Sequence, residues 1–317
     1  MLLDTDPDSI YVISVELDKT VCKIAVVDFD GYIKSQQCVK YDFYHMDWKN
    51  IMDEICNIIR EIMKDEKIPK SKIAGIGIGI PGIIDDKSGI VTFSPQLGWK
   101  SIPLAEYVER EMGFETKIDN IIKLKALAEN IYGSAKGVNK AALLNLGTGV
   151  GSSLIIDEEI YRGVTNSSGE IGHTTIEPNG RLCDCGRRGC LQTYISINEL
   201  IGEARRVKDV SSIKEIFDAS SDGESWAIEI LDRWYTYVGI AVCDVIYVYN
   251  PETVIISGEI IEQAPWIIDI IRDVVEKSIW KPFKDTYEIK KTALGDKAGI
   301  IGISILVLDR YIDAGLS

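Results

Sequence analysis

Hydrophobic and polar residues follow one another along the chain in patterns that predict short strands and amphipathic helices. Tyr11 to Leu17 and Val21 to Phe29 are β-rich runs joined by a turn at Asp18-Lys19, and a second turn at Asp28–Gly31 leads into a third strand. A helix is predicted over Trp48 to Met63, because apolar residues recur there at helical spacing. The N-terminal pattern therefore predicts a three-stranded meander followed by a helix.

A glycine-rich strand comes next. It covers Ile73 to Ile80 and ends at Pro81-Gly82, where a ligand could approach main-chain groups. Pro103 opens a predicted helix that runs to about Met112. A strand over Thr116 to Asp119 then runs directly into a helix over Ile121 to Tyr132.

The second half of the chain repeats the opening pattern. An apolar strand, Lys140 to Leu146, is followed by the glycine turn Gly147–Gly151 and a strand from Ser152 to Ile156. The remaining predicted elements are helices near Asn198 to Val207, over Ile213 to Ala219, over Ser225 to Tyr249, from near Pro265 and from Lys297, and strands over Thr253 to Ser257 and around Tyr287 to Lys290. Two strand-rich halves with covering helices predict a duplicated α/β unit with a cleft between its lobes.

Composition and charge narrow the class of protein. The chain has 317 residues, 46% apolar and 26% charged, which is ordinary for a soluble globular protein. Its formal net charge of −14 repels phosphate backbones, so we expect no direct nucleic-acid binding by this segment. The start lacks the features of a signal peptide, and the apolar run from Ala298 to Leu308 is about half of what a bilayer needs. We expect a cytoplasmic protein without a membrane partner.

Three cysteines and a histidine form a candidate metal site. Cys183, Cys185 and Cys190 lie within eight residues, and His173 stands ten residues upstream. Thiolate and imidazole ligands in a set of four are typical of structural zinc. The alternatives are a disulfide or three unrelated thiols, but a Cys-x-Cys pair is too close for an easy disulfide. The odd total of seven cysteines favours a reducing compartment. The other cysteines are interpreted as small buried residues: Cys22, Cys38, Cys56 and Cys243.

The glycine turn Gly147–Gly151 raises the question of phosphate binding. Such a turn can point backbone N–H groups and the Thr148 hydroxyl at a phosphate, but glycine turns also simply make hairpins. The matching turn of the first half, Glu16–Thr20, has no glycine. Its Asp18 would repel a nucleotide phosphate unless a metal intervened.

Together these motifs resemble the ROK proteins (repressors, open reading frames and sugar kinases) over essentially the whole chain. The resemblance rests on Gly77-Ile-Gly-Ile-Pro-Gly82, Leu97-Gly-Trp99, Leu146-Gly-Thr-Gly-Val-Gly151, Tyr161-Arg-Gly163, Gly169-Glu-Ile-Gly-His173 and Cys183-x-Cys185-Gly-x-x-Gly-Cys190-Leu191. It implies an α/β, two-lobed, actin-like ATPase (ribonuclease H-like) fold with a cleft between the lobes and a zinc-binding loop. We expect a small N-terminal lobe over residues 1–118, on which the last helix, 297–317, packs back. Residues 119–296 would form a larger lobe carrying the zinc loop.

The resemblance also implies a monosaccharide ligand and a homodimer. The implied sugar-binding residues are Gly82, Asn120, Glu170, His173 and Gln192. His173 would also bind the zinc ion, together with the three cysteines, and the zinc loop would hold it from behind. A vestigial nucleotide site would comprise Gly147, Thr148, Gly149, Gly151, Ser257 and Gly258. ATP and magnesium would be cofactors only if the chain were a kinase.

Several residues depart from the kinase pattern. Family kinases carry Asn-Asp at the strand-to-helix step, where the aspartate takes a proton from the sugar hydroxyl; here Asn120 is followed by Ile121. Asp119 is the remaining candidate base and would need a shifted local backbone. Glu16-Leu17-Asp18-Lys19-Thr20 replaces Asp-x-Gly-x-Thr, Ser257-Gly258 replaces Gly-Gly, and Gln192 replaces a glutamate.

We therefore expect the sugar-sensing effector domain of a ROK-type, xylose-repressor-like transcriptional regulator that binds its ligand without phosphorylating it. The stretch from Leu2 to Val15 resembles the segment after a winged-helix DNA-binding module, although no such module lies in this chain. One alternative is an active, ATP-dependent, glucokinase-like sugar kinase. Another is an interaction protein with a vestigial cleft and zinc retained only for folding.

Overall fold

The chain forms two compact units in the computed structural model, which describes the backbone of residues 9–316 and the side chains of residues 9–309 and of Tyr311. Among these residues, the first unit comprises 9–128, Arg162–Ser167 and 297–316, and the second comprises Glu129–Tyr161 and Ser168–Asp296. The start of the predicted junction with a DNA-binding module, at Leu2, lies outside the described residues.

Eight strands and three helices form in the first part of the chain. They are β1 (Tyr11–Leu17), β2 (Val21–Asp28), β3 (Ile33–Lys40), α1 (Trp48–Asp65), β4 (Ile73–Ile80), β5 (Ile83–Asp85), β6 (Ile90–Ser94), β7 (Trp99–Ile102), α2 (Leu104–Met112), β8 (Thr116–Asn120) and α3 (Ile121–Tyr132). The later elements are β9 (Lys140–Leu146), β10 (Val150–Ile156), β11 (Glu159–Ile160), α4 (Gln192–Ile195), α5 (Ile197–Ala204), α6 (Ile213–Ser221), α7 (Ser225–Tyr249), β12 (Thr253–Ser257), α8 (Glu259–Gln263), α9 (Ile267–Ser278), β13 (Glu288–Lys291) and α10 (Ala298–Leu316).

A five-stranded sheet organises the first unit, in the order β3-β2-β1-β4-β8. The first three strands form the antiparallel meander, and β4 and β8 add to it in parallel. Apolar side chains of α1 and α2 bury one face, and the N-terminal parts of α3 and α10 bury the other. Two glycines of β4 make this second face possible, since a Cβ on Gly77 would lie 2.4 Å from the Ile303 side chain and one on Gly79 would lie 2.7 Å from that of Ile121.

The second unit contains a sheet with the same plan, in the order β11-β10-β9-β12-β13. Strands β11, β10 and β9 are antiparallel, and β12 and β13 follow in parallel. Helix α7 lies at the centre of this unit's core, where the fully buried Trp234 donates a hydrogen bond to Ile195 O at 2.9 Å. The predicted α/β fold of duplicated units is confirmed.

The structure corrects some sequence-based expectations. Cys38 is exposed, because it lies on β3, the edge strand of the first sheet, whereas Cys22, Cys56 and Cys243 are buried as expected. Strand β7 and the short helices α4 and α8 were not predicted, because four- or five-residue elements carry too little periodicity to be recognised. Within the described part of the chain, no helix combines the length and the apolar character needed to cross a bilayer.

Candidate functional site

The predicted metal ligands meet in the second unit. The ligand atoms of His173, Cys183, Cys185 and Cys190 all lie within 4.8 Å of one another. Cys185 Sγ is 3.7 Å from Cys190 Sγ, and Cys183 Sγ is 3.8 Å from His173 Nδ1. Zinc–sulfur bonds of about 2.3 Å in a tetrahedron separate two sulfurs by about 3.8 Å. These two separations match this geometry, and the four residues together supply the ligand set of a closed tetrahedral zinc site.

Two glycines shape the loop that carries the cysteines. Gly186 and Gly189 have φ angles of 84° and 74°, which other residues rarely adopt. A Cβ on Gly189 would also lie 1.8 Å from Glu177 O, so this position excludes any side chain. The turn is closed by a hydrogen bond from Cys183 N to Arg187 O at 2.8 Å. The backbone conformations of the two glycines and this hydrogen bond thus fold the loop so that its three cysteine sulfurs lie close together.

Burial and hydrogen bonds together shift the pKa values of the three thiols. Burial raises the pKa of Cys190 to about 12, with hydrogen bonds that the Cys190 thiol donates to the neighbouring sulfurs adding to the effect, and it also raises the pKa of Cys183. Burial would raise the pKa of Cys185 as well, but the backbone N–H of Arg187 and the adjacent thiols donate to its sulfur and lower that pKa overall. Because metals bind thiolates, occupation of the cluster would release protons.

Gln192, a predicted sugar contact, makes a different interaction here. It begins α4, and its Nε2 donates to Cys183 Sγ at 3.2 Å. An amide can donate to a thiolate, which the glutamate of the family pattern could not do when ionised. Arg181 supports the same loop, with Nη1 donating to Thr193 O at 2.9 Å and Nη2 donating to Glu203 Oε2 at 2.9 Å.

Glu170 and His173 belong to a short turn pinned to β10. Ser152 N donates to Gly169 O at 2.7 Å, and a Cβ on Gly169, whose φ is 91°, would lie 1.9 Å from Ser152 O. A Cβ on Gly172 would lie 2.2 Å from Val150 O. Glu170 and His173 are both half-buried, so each side chain keeps some access to solvent.

Asn120 and Gly82, the other two predicted sugar contacts, bind each other in the first unit. Asn120 Nδ2 donates to Gly82 O at 2.8 Å, while its Oδ1 accepts from the backbone N–H groups of Ile122 and Lys123 at 2.9 and 3.2 Å. The side chain therefore caps the N-terminus of α3. One N–H of the amide remains in excess of these bonds and could reach a ligand hydroxyl.

Asp119, the candidate base, is fully buried and bonded on both oxygens. Its Oδ2 accepts from Arg162 Nη1 at 2.7 Å, and its Oδ1 accepts from Asn166 Nδ2 at 3.1 Å and from Asn120 N at 2.7 Å. Sequence reasoning missed Arg162 and Asn166 as partners. The only signal was the Tyr161-Arg-Gly163 motif, which does not specify what the arginine binds.

The predicted nucleotide residues gather at adjacent strand ends of the second unit. The turn between β9 and β10 consists of Gly147, Thr148 and Gly149. Gly151 is the second residue of β10. Asn145 connects this turn to β12, since its Nδ2 donates to Gly149 O at 3.2 Å and its Oδ1 accepts from Ser257 Oγ at 3.4 Å. Gly258 has a φ of 104°, and a Cβ there would lie 2.3 Å from Leu146 O.

The corresponding turn of the first unit is filled by charged side chains. Glu16 is 6% exposed, with Lys125 Nζ 3.5 Å from its Oε1 and Lys23 Nζ 3.9 Å from its Oε2. A Cβ on Gly299, in the first turn of α10, would lie 2.5 Å from Glu16 Oε2. Asp18 Oδ1 accepts from Lys19 N at 2.6 Å. The carboxylate of Glu16 thus lies against the N-terminal end of α10, where negative charge is favourable.

Known proteins with similar sequences and folds are both regulators and kinases. The ROK family model matches residues 12–310. A xylose repressor of Bacillus spizizenii is 31% identical over 249 residues, which cover 78% of this chain and 65% of the repressor. The chain thus matches slightly less than two thirds of that relative's length. A glucokinase of Thermotoga maritima is 29% identical over 94% of this chain and 97% of the enzyme.

A solved structure extends the similarity to three dimensions. The ROK family glucokinase of Streptomyces griseus, in complex with glucose and AMPPNP, superposes with a TM-score of 0.83 at 26% identity, covering 94% of this chain and 99% of the enzyme. The actin-like sugar-kinase fold expected from the motifs is therefore confirmed. With a family model that matches nearly its whole length, the chain belongs to the ROK family.

Proposed function

We propose that the chain is the sugar-sensing effector domain of a ROK-type transcriptional regulator, which binds a monosaccharide without phosphorylating it. The residues proposed to hold the ligand are Gly82, Asn120, Glu170, His173 and Gln192. A carboxylate accepting from two hydroxyls suits the paired donors of a sugar, so Glu170 would contribute most of the specific binding.

The bonding of Asp119 is the observation that carries this proposal. A general base must have an oxygen within reach of the proton that it removes. Both oxygens of Asp119 instead accept hydrogen bonds from Arg162, Asn166 and the Asn120 backbone. Ile121, at the position of the family's catalytic aspartate, has no titratable group. Phosphoryl transfer from ATP would thus lack a base.

The relatives support a monosaccharide as the ligand class. The regulator among them is a xylose repressor, and the solved glucokinase structure contains glucose. D-Xylose and D-glucose are therefore the first two probes. Any role of the chain in DNA binding would depend on parts of a regulator outside the region matched here.

We also propose zinc as the metal of the Cys183–Cys185–Cys190–His173 cluster. Four ligands with no open position favour a structural ion. By coordinating His173, the ion would hold the imidazole in the orientation that a hydrogen bond with a ligand hydroxyl requires. A homodimer and a cytoplasmic location complete the proposal, and light scattering after size-exclusion chromatography tests the former.

Titration calorimetry tests the ligand proposal. The protein is titrated with D-xylose, D-glucose, other pentoses and hexoses, and N-acetylhexosamines, in the absence of nucleotide. We expect saturable heat with at least one sugar and its loss in Glu170→Ala. Glu229→Ala removes an exposed carboxylate of the same unit and should bind like the wild type. Absence of heat with every sugar would contradict the proposal.

An active sugar kinase is the second candidate, favoured by the intact glycine turn at Gly147–Gly151 and by the full-length match to a glucokinase. It would use ATP and magnesium. A coupled ADP-release assay distinguishes the two functions. Sugar-dependent turnover well above background, lost in Asp119→Asn, would establish the kinase. Under our proposal turnover is absent, and Ile121→Asp alone does not restore it, because the first turn still lacks glycine.

A further inference from the structure

One short segment of the chain belongs to a different unit from the residues on either side of it. Residues Arg162–Ser167, here called the strap, belong to the first unit, whereas Tyr161 before them and Ser168 after them belong to the second. The strap ends three residues before Glu170 and six before His173. Only Ser168 and Gly169 therefore separate the strap from Glu170 in the sequence.

Hydrogen bonds from two strap residues hold this segment in the first unit. Arg162 Nη1 binds Asp119 Oδ2 at 2.7 Å and Asn166 Oδ1 at 3.0 Å. Asn166 Nδ2 donates to Asp119 Oδ1 at 3.1 Å and to Ile84 O at 3.0 Å. Lys123 Nζ, which is almost fully buried, donates to Asn166 O at 2.6 Å. Asp119 is thus the common anchor of both strap side chains.

Asn166 adopts a backbone conformation that most residues avoid. Its φ is 53° and it is only 7% exposed. Asparagine tolerates the left-handed region better than other non-glycine residues, and the conformation persists only when surrounding contacts fix it. Here both N–H groups and the oxygen of the side chain are bonded, so the side chain specifies the bend of the strap.

The chain is fixed again immediately after the strap. Gly169 is held by Ser152 and cannot carry a side chain, as described above. Only Ser167 and Ser168 therefore separate Asn166, anchored on Asp119, from Gly169, anchored on β10. Glu170 follows this second fixed point directly.

We propose that Arg162 and Asn166 are positioning residues for ligand binding by Glu170, and that Asp119 serves as their anchor instead of as a base. This inference rests on the proposed function for the identity of the ligand-binding residue. The strap fixes the backbone that leads into the turn. The turn is therefore already ordered before a ligand binds. Pre-ordering of this kind raises affinity because less freedom is lost on binding.

Hydrogen–deuterium exchange tests the ordering without any ligand. The reporters are the amides of Ile171 and His173, which bond to Gly169 O and Glu170 O. In Asn166→Gly, which keeps the left-handed backbone and removes the side-chain bonds, we expect exchange of these amides to become about tenfold faster, as the loss of one or two net hydrogen bonds implies. Arg162→Ala should act in the same direction. Peptides from α7 should exchange as in the wild type.

Asn250→Gly is the matched control. Asn250 is also an asparagine in the left-handed region, with a φ of 46° at the C-cap of α7, but it lies outside the strap. Its substitution should leave the reporters unchanged. Wild-type exchange in Asn166→Gly, or acceleration equal to that in α7, would overturn the positioning role.

Calorimetry separates this proposal from the proposed function. With whichever of D-xylose and D-glucose the wild type binds, Kd should rise about tenfold in Asn166→Gly and remain unchanged in Asn250→Gly. An unchanged Kd in Asn166→Gly would contradict the inference. If the wild type binds neither sugar, the proposed ligand is wrong, and the exchange experiment alone decides whether the strap orders the turn.

Discussion

The two sheets share one strand plan but differ at the turn between their first two strands. In both, a three-stranded antiparallel meander is extended by two parallel strands. In the second unit Gly147, Thr148 and Gly149 form the turn, and Asn145 makes neutral hydrogen bonds to Gly149 O in this turn and to Ser257 Oγ. In the first unit Asp18 and Lys19 form the turn, and at the position matching Asn145 stands Glu16, with lysines on either side.

This difference concerns the two features that decide whether a turn can accept an anion, which are glycine content and local charge. Glycines leave the backbone N–H groups of a turn accessible, as phosphate binding requires. A buried carboxylate at the same place in the first unit repels phosphate and already occupies the region beside the N-terminus of α10. Among the described residues, the candidate metal cluster lies in the second unit.

The largest effect is expected on zinc affinity, when a metal ligand of the second unit is removed. Apparent zinc-binding energies of about 10–16 kcal/mol shared by four ligands correspond to roughly 2.5–4 kcal/mol each. Cys190→Ser should weaken zinc binding accordingly, as measured by competition with a chelator. Proteolysis should then cut the second unit first. Cys56→Ser, far from the cluster in sequence, is the control; equal zinc affinity in the two variants would contradict the assignment.

The next effect concerns the glycine that packs against the second turn. Gly258→Ala should lower the free energy of unfolding by roughly 2–3 kcal/mol, because the new Cβ would overlap Leu146 O and the φ of 104° disfavours alanine. Urea denaturation measures the change. Gly202→Ala, in α5 with nothing near the added Cβ, should be neutral or slightly stabilising. Similar losses at both glycines would contradict the packing argument.

A change in the first turn makes it resemble the second. Glu16→Asn should lower the free energy of unfolding by roughly 1–2 kcal/mol, because Lys23 and Lys125 lose a buried charged partner. The cost stays in this range because both ammonium groups remain partly exposed to solvent. Thermal unfolding at low and high salt would reveal it. Glu115→Gln, which breaks an exposed pair with Lys117, should cost much less. A stability gain in Glu16→Asn would show that the two lysines do not offset the cost of burying the Glu16 carboxylate.

The smallest effect sharpens the role of Gln192. Gln192→Glu should weaken zinc binding about tenfold, because an ionised carboxylate cannot donate to Cys183 Sγ and adds negative charge beside the thiolates. Chelator competition again provides the measurement. Gln263→Glu, on an exposed position of α8, supplies a matched change of charge in the same unit. Tighter zinc binding in Gln192→Glu would contradict the hydrogen bond described.

Residues with strong local chemistry could be predicted from the sequence. The metal cluster followed from the spacing of Cys183, Cys185 and Cys190, and the glycine turn from its position between two apolar strands. The bonding of Asp119 could not be predicted, because Arg162 and Asn166 lie more than 40 residues away and reach it only through the path of the strap. Pairings of that range depend on the tertiary fold, which no local pattern encodes.

The same limit applies to Asn120 and Gln192. The family resemblance implied ligand contacts for both residues, and these contacts remain a prediction. The structure adds a bond from each to the protein itself, to Gly82 O and to Cys183 Sγ. An amide near a site can therefore serve the scaffold and a ligand at once, and sequence alone does not divide the two roles.

The central claim is that the chain binds a sugar without phosphorylating it. The most direct measurement incubates the wild-type protein with ATP, magnesium and an isotopically labelled sugar that binds in calorimetry, and then recovers the sugar for mass spectrometry. We expect the sugar unmodified after many times the turnover period of a typical kinase. Recovery of its phosphate ester, at levels that fall in Asp119→Asn, would contradict the account.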